Sequence, residues 1–154
     1  MPATALKEYL DSHGIRYISI RHSLAYTAQE VAASAHVLGR DFAKTVIVTS
    51  DEGLAMVVLP ASRRLVLSDL REMMITDHVR LASEAEFKAV FPDCELGAMP
   101  PFGNLYGMPV YVAASLAEEP EIAFNAGTHT EVIKLAYEDF DRLVKPTVLD
   151  FVTT

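Results

Sequence analysis

The sequence predicts an α+β domain built on a mixed, largely antiparallel sheet with surrounding helices. Three observations lead there. Helical and strand-like segments are interleaved along the chain, and several strands adjoin through turns too short for a crossover helix. The glycine fingerprints of doubly wound nucleotide folds, G-x-G-x-x-G and G-x-x-x-x-G-K-[ST], are missing. The length of 154 residues fits one domain over 1–154, large enough to bury a core without disulfides or metals.

The elements follow in order. Residues 3–13 carry a helical pattern that stops at Gly14, a natural C′ residue. "IRYISIRH" alternates as a strand does. Thr27 and Glu30 have capping-box spacing for a helix through "TAQEVAASAHV". "AKTVIVTS", the turn Asp51-Glu52-Gly53 and "LAMVVLP" read as a β-hairpin. Ser68 is expected to cap a short helix through "DLREMM", and "HVRLAS" reads as a short strand. Ser83 and Glu86 repeat the capping-box spacing ahead of "EAEFKAV". A Gly/Pro loop comes next. "PVYVAAS", "EIAFNAG" and "EVIKLAY" then read as strands, and a last helix runs from near Glu138 to before Pro146.

Composition narrows the function classes. The chain is 51% hydrophobic and 22% charged, which is globular rather than disordered. Its apolar runs fall well short of the roughly 20 residues of a membrane span. The N-terminus lacks the basic and apolar regions of a signal peptide. A single cysteine, Cys94, fits a reducing compartment, so the cytoplasm is expected. A net charge of −8 argues against non-specific binding along DNA or RNA, which needs a broad basic surface. A local cluster of Arg40, Lys44, Arg63 and Arg64 still leaves room for a small part of a nucleic acid, or is an ordinary solvated surface.

"GAMPPFGNLYGMP", residues 97–109, gathers three glycines and three prolines where the whole chain has seven and eight. It is either a plain connector or a loop whose backbone does chemistry. Lys44 opens an apolar strand, where an ammonium can serve as a point charge for phosphate or carboxylate, or simply snorkel to solvent. His129 follows Gly127 between two strands, where it can contact a substrate or play a structural part. The histidines show no paired metal-ligand spacing, the lone cysteine offers no C-x-x-C, and no G-x-S-x-G elbow is present. Neither metal nor cofactor is expected, and Cys94 reads better as an incidental thiol than as a nucleophile.

"GRDFAKTVIV" at 39–48, "LAMVVLPASRRL" at 54–65, "VRLASEAEF" at 79–87, "GAMPPFG" at 97–103 and "NAGTHTEVIKLAYEDFDRL" at 125–143 form an ordered set. Together they resemble the YbaK-type, prolyl-tRNA synthetase-associated editing domains, which hydrolyse amino acids wrongly attached to tRNA. The resemblance spans nearly the whole chain. It implies a curved, partly barrel-like sheet and a trans-editing aminoacyl-tRNA deacylase. It implies that Lys44 lies near the 3′-terminal adenosine and its phosphate. Gly97 and Pro101 match the family's G-x-x-x-P loop, whose backbone N–H faces the ester carbonyl, and His129 helps to hold the aminoacyl group. Met99, Phe102 and Val58 are expected in the amino-acid pocket; Val46 is a further candidate for its wall, with core packing the favoured reading. Arg40, Arg63 and Arg64 are expected to meet tRNA. The substrate expected first is alanyl-tRNA(Pro), followed by the cysteine, serine and threonine esters. The expected partner is the CCA end, with prolyl-tRNA synthetase or an elongation factor delivering it. The competing reading is a non-catalytic module that binds an aminoacyl-adenosine-like ligand.

Overall fold

The computed structural model describes residues 2–153. Helix α1 (Pro2–Ser12) leads into strand β1 (Tyr17–Arg21) and helix α2 (Ala28–Ser34). Both predicted capping boxes form. The Thr27 hydroxyl accepts from the Glu30 N–H ahead of α2, and Ser83 does the same for Glu86 ahead of helix α4 (Glu84–Phe87), each Glu carboxylate accepting from the cap N–H in return. The hairpin pairs β2 (Ala43–Ser50) with β3 (Gly53–Pro60), closing at Ser50 opposite Gly53.

Helix α3 (Leu67–Met74) starts two residues earlier than expected, with Val66 rather than Ser68 at its N-cap. The cause is tertiary. The Val66 N–H donates to the Phe151 carbonyl at 2.8 Å, which turns the chain there. A two-stranded ladder accompanies it, β4 (Arg64–Leu65) against β10 (Val152–Thr153). Strand β6 (Val110–Ala113) gives way to a helical turn, α5 (Ala114–Ala117), before the expected strand would end.

Strand β5 (Val79–Leu81) and β9 (Thr147–Leu149) complete a five-stranded sheet in the order β5-β2-β3-β6-β9. Its β5-β2 and β2-β3 pairs are antiparallel, while β3-β6 and β6-β9 are parallel. A second, antiparallel sheet runs β1-β8-β7, with β7 (Glu121–Asn125) and β8 (Glu131–Ala136). Helix α6 (Tyr137–Val144) follows β8 directly. A single parallel bridge from Phe42 to Ala123 joins the two large sheets. The assembly is therefore mixed and mainly antiparallel, but it is not closed into a barrel. On its outer edge β2 is held at Phe42 by that bridge, at Ile47 by the Ala82 N–H at 2.9 Å and from Val48 onward by β5, with no ladder partner over Ala43–Val46 among the described residues.

The loop from Gly97 is half core. Ala98 to Gly103 are all buried, and Phe102 has no exposed surface. Its ring meets Phe124 at 5.4 Å and Phe140 at 5.6 Å, centroid to centroid. Gly103 is required by contact: a Cβ there would stand 2.7 Å from Val110 Cγ2 and 2.8 Å from the Met108 carbonyl oxygen.

Glu131 is a buried charge that ties α1 to the second sheet. Its carboxylate receives the Lys7 ammonium at 2.5 Å, the Ser19 hydroxyl at 2.5 Å and the more distant Arg21 at 3.7 Å. Burial opposes ionisation, but the bonds from Lys7 and Ser19 and the charges of Lys7 and Arg21 outweigh it and hold the carboxyl below its usual value. A carboxyl depressed in the folded state stabilises the protein above the unfolded pKa, and that share is lost as the pH falls below about 4.5. Glu131→Ala leaves Lys7 without its partner and is expected to cost about 3 kcal/mol in chemical denaturation. The variant is also expected to have a flatter acid limb in its stability profile; an unchanged limb would remove Glu131 from that role.

Candidate functional site

A cleft of about 290 Å³ opens at the unpaired stretch of β2. Thr45, Val46 and Ile47 form one wall, with Leu81, Ala82, Glu84 and Phe87 beyond them, and Leu96, Gly97 and Met99 opposite. The lining is mainly apolar, which suits a small side chain. Of the residues expected in the amino-acid pocket, Met99 lines this cleft. Val58 and Phe102 lie fully buried in the main core, and Pro101 is buried with the inner half of its loop. Val46 does both things weighed for it from sequence: it packs half-buried against the Leu59 and Phe151 cluster and lines the cleft wall. Thr45 brings a buried hydroxyl that has no hydrogen-bond partner among the described residues.

The Gly97 loop is held from behind by the turn between β7 and β8. Glu95 N–H donates to the Gly127 carbonyl at 2.8 Å, and Gly127 N–H returns a bond to the Ala98 carbonyl at 2.9 Å. His129 N–H donates to the Glu95 carboxylate at 2.7 Å, and His129 Nε2 bonds the Leu96 carbonyl at 2.8 Å. A carbonyl only accepts, so Nε2 carries the proton. Nδ1 is then an acceptor in the neutral ring, buried and without a donor. Gly97 itself has φ +84°, a conformation that L side chains rarely adopt. Among the described residues, the N–H groups of Leu96, Gly97 and Met99 find no acceptor. The loop that lines the cleft therefore carries uncommitted backbone donors on a frame fixed by four hydrogen bonds.

Lys44 approaches from elsewhere. Directly opposed residues of the hairpin share a face, and Lys44 opposes Leu59 whereas Thr45 opposes Val58. Leu59 packs with Leu70 and Phe151, while Val58 belongs to the main core. Lys44 thus leaves β2 on the face opposite Thr45, one residue along the same free edge. It is half-buried, and among the described residues no carboxylate lies within 4.0 Å of its ammonium. Burial, and then the neighbouring Arg64 charge, lowers its pKa.

The basic residues that looked clustered in the sequence do converge. Gly39, next to Arg40, packs against Ser62, next to Arg63, at 3.4 Å from where a Cβ would stand. The Ala61 N–H donates to the Phe42 carbonyl at 2.8 Å. Arg40 is turned partly toward Asp41 at 4.0 Å, and Arg64 is exposed. Lys44 and Arg64 therefore gather positive charge at the β2 edge, with Arg40 partly committed to Asp41.

Cys94 is tied up at the other end of the loop, 3.5 Å from the Tyr106 hydroxyl and 3.7 Å from the Asp93 carboxylate. Burial pushes its thiol up to about 11. It is a thiol, not a thiolate, at neutral pH. Cys94→Ser is expected to leave hydrolytic activity within about twofold of wild type, because a neutral thiol contributes little as a nucleophile. Abolished turnover in a folded Cys94→Ser variant would reinstate a thiol esterase.

This arrangement of sheets recurs in solved structures. A candidate trans-editing enzyme for prolyl-tRNA synthetase superposes with a TM-score of 0.84 at 19% identity, covering 99% of this chain and 98% of that one. The hypothetical protein APE2540 superposes with a TM-score of 0.85 at 21% identity, covering 96% and 99%. At these identities the likeness establishes the fold. No curated protein matches the chain. The aminoacyl-tRNA editing domain family matches residues 22–143, a span that takes in the hairpin, the cleft and the Gly97 loop. The chain belongs to that family, and its architecture is that of the YbaK-like editing domains.

Proposed function

We propose that the protein is a trans-acting deacylase that hydrolyses the ester of mischarged tRNA in the cytoplasm, with alanyl-tRNA(Pro) the first substrate to test and the cysteine, serine and threonine esters next. The observation that carries this reading is the Gly97 loop. Gly97 and Met99 line an apolar cleft of small-molecule size, and their N–H groups find no acceptor among the described residues. Fixed backbone donors stabilise a tetrahedral oxyanion without reorganising.

In this mechanism a water molecule, oriented by a hydroxyl of the substrate's own ribose, attacks the ester carbonyl. The new carbon–oxygen bond forms as negative charge moves onto the carbonyl oxygen, facing the loop donors. Collapse of the intermediate breaks the bond to the ribose oxygen, which takes up a proton. The products are the free amino acid and a tRNA with both terminal hydroxyls restored. The ester is already activated, so positioning and polarisation are what the protein must add. His129 holds the loop through Leu96 and Glu95 and so supports the wall that meets the aminoacyl group.

The opposed placement of Lys44 and the loop gives the substrate a path. The tRNA terminus lies across the free edge of β2, its phosphate on the Lys44 and Arg64 side and its ester on the Gly97 side. Arg40 and Arg63 flank the approach. Few phosphates are engaged, in keeping with a chain of charge −8. Prolyl-tRNA synthetase or an elongation factor delivers the substrate.

The test is deacylation of a panel of labelled mischarged tRNAs by the wild type. Turnover of one member establishes the reading and names its substrate. No turnover across the panel, with a charged-tRNA analogue still raising the melting temperature, would make the protein a binding module instead.

A further inference from the structure

Among the described residues the exposed large apolar side chains are non-aromatic with one exception, Tyr26, which is 66% exposed. Its backbone is held on both sides. The Ala25 N–H donates to the His129 carbonyl at 3.4 Å, and Thr27 caps α2. Its ring packs on His129, centroid to centroid 5.0 Å at 54°. His129 is a shared wall. One side meets Tyr26, and its Cε1 lies 3.5 Å from where a Cβ on Gly97 would stand. Tyr26 therefore stands directly behind the residue that fixes the loop, with most of its ring in solvent.

An exposed, pre-positioned aromatic packed on His129, in a domain where Lys44 and Arg64 gather positive charge at the β2 edge, fits a flat, apolar-faced ligand that carries phosphate. That is the chemistry of a nucleotide. We infer that Tyr26 is the stacking platform for the terminal adenine of the tRNA, positioning the ribose and its ester over the Gly97 loop. The inference rests on the deacylase reading and adds to it the group that receives the base. Stacking needs a π-face and not a hydroxyl, so phenylalanine should replace tyrosine here and alanine should not. The position is exposed, so substitution is expected to leave the fold intact.

Two measurements test it. In deacylation, Tyr26→Ala is expected to raise KM about tenfold with kcat changed by less than about threefold, and Tyr26→Phe to match the wild type. An unchanged KM in a wild-type-active background would overturn the stacking role and leave the deacylase standing. The second measurement does not depend on turnover. The chain has no tryptophan, so Tyr26→Trp introduces a single indole. Adenosine 5′-monophosphate is expected to quench its emission saturably, and the quench is expected to weaken in a Lys44→Ala background. Absence of saturable quenching would also overturn the stacking role. If the wild type hydrolyses no charged tRNA yet the quench saturates, the deacylase reading falls and the nucleotide platform remains.

Discussion

Lys44→Ala is expected to lower kcat/KM for deacylation about a hundredfold, with the fold retained. The loss corresponds to ~3 kcal/mol, the value of a charge-assisted contact to a bound phosphate. Nothing in the fold asks for this ammonium. It is half-buried, has no carboxylate within 4.0 Å among the described residues, and faces Arg64. Replacing it with methionine is therefore expected to raise the melting temperature while activity falls. The alkaline limb sharpens the test. Burial and Arg64 depress the folded pKa, so the folded protein sheds its proton before the unfolded chain does. The penalty is full at neutral pH and is relieved as the pH climbs toward the unfolded value of 10.5. Lys44→Met is expected to flatten that rise. A variant that loses stability and keeps activity would assign Lys44 to structure and move the phosphate contact to the arginines.

Gly97→Ala is expected to reduce kcat by about a hundredfold or more, the effect of losing an oxyanion donor. The added methyl has room, since its nearest neighbour is His129 Cε1 at 3.5 Å. The difficulty is the backbone at φ +84°, where an L residue is strained by roughly 1–2 kcal/mol. Relaxing that strain turns the Gly97 and Met99 N–H groups away from the cleft. Single-turnover deacylation alongside thermal unfolding separates the two effects. Full kcat in a mildly destabilised Gly97→Ala protein would mean that the loop's backbone takes no part in the chemistry.

Local chemistry made much of the fold legible. The capping boxes at Thr27 and Ser83 and the hairpin at Ser50–Gly53 each depend on residues within a few positions of one another, and each formed as expected. The helix start at Val66 depends on Phe151, and β9 and β10 are too short to display alternation. Those features follow from tertiary pairing. The site divides in the same way. The Gly/Pro cluster marked the loop, but its anchoring by Gly127 and His129 joins segments about 30 positions apart and carries no local signature. Parity along β2 could not say which face Lys44 takes, because both faces of that strand are apolar. The same ambiguity left Val46 open between core and cleft wall, and it serves both. Glu131 did leave a signal: a carboxylate opening an otherwise apolar strand needs a partner when buried. Tyr26 left none, since an aromatic ahead of a capping box ordinarily packs onto its helix.

The two walls of the cleft differ in what they can become. One is the free edge of β2, where Val46 is only half-buried against the Leu59 and Phe151 cluster and Thr45 carries a hydroxyl with no partner among the described residues. The other belongs to a segment whose far end is locked between Val110 and Met108 at Gly103. A lineage that needs to discriminate a new amino acid has its cheap variation on the strand side, while the loop side stays fixed by the core it helps to fill. Preference among substrates should therefore drift independently of the hydrolytic apparatus, so that one scaffold can serve a set of differently tuned editors.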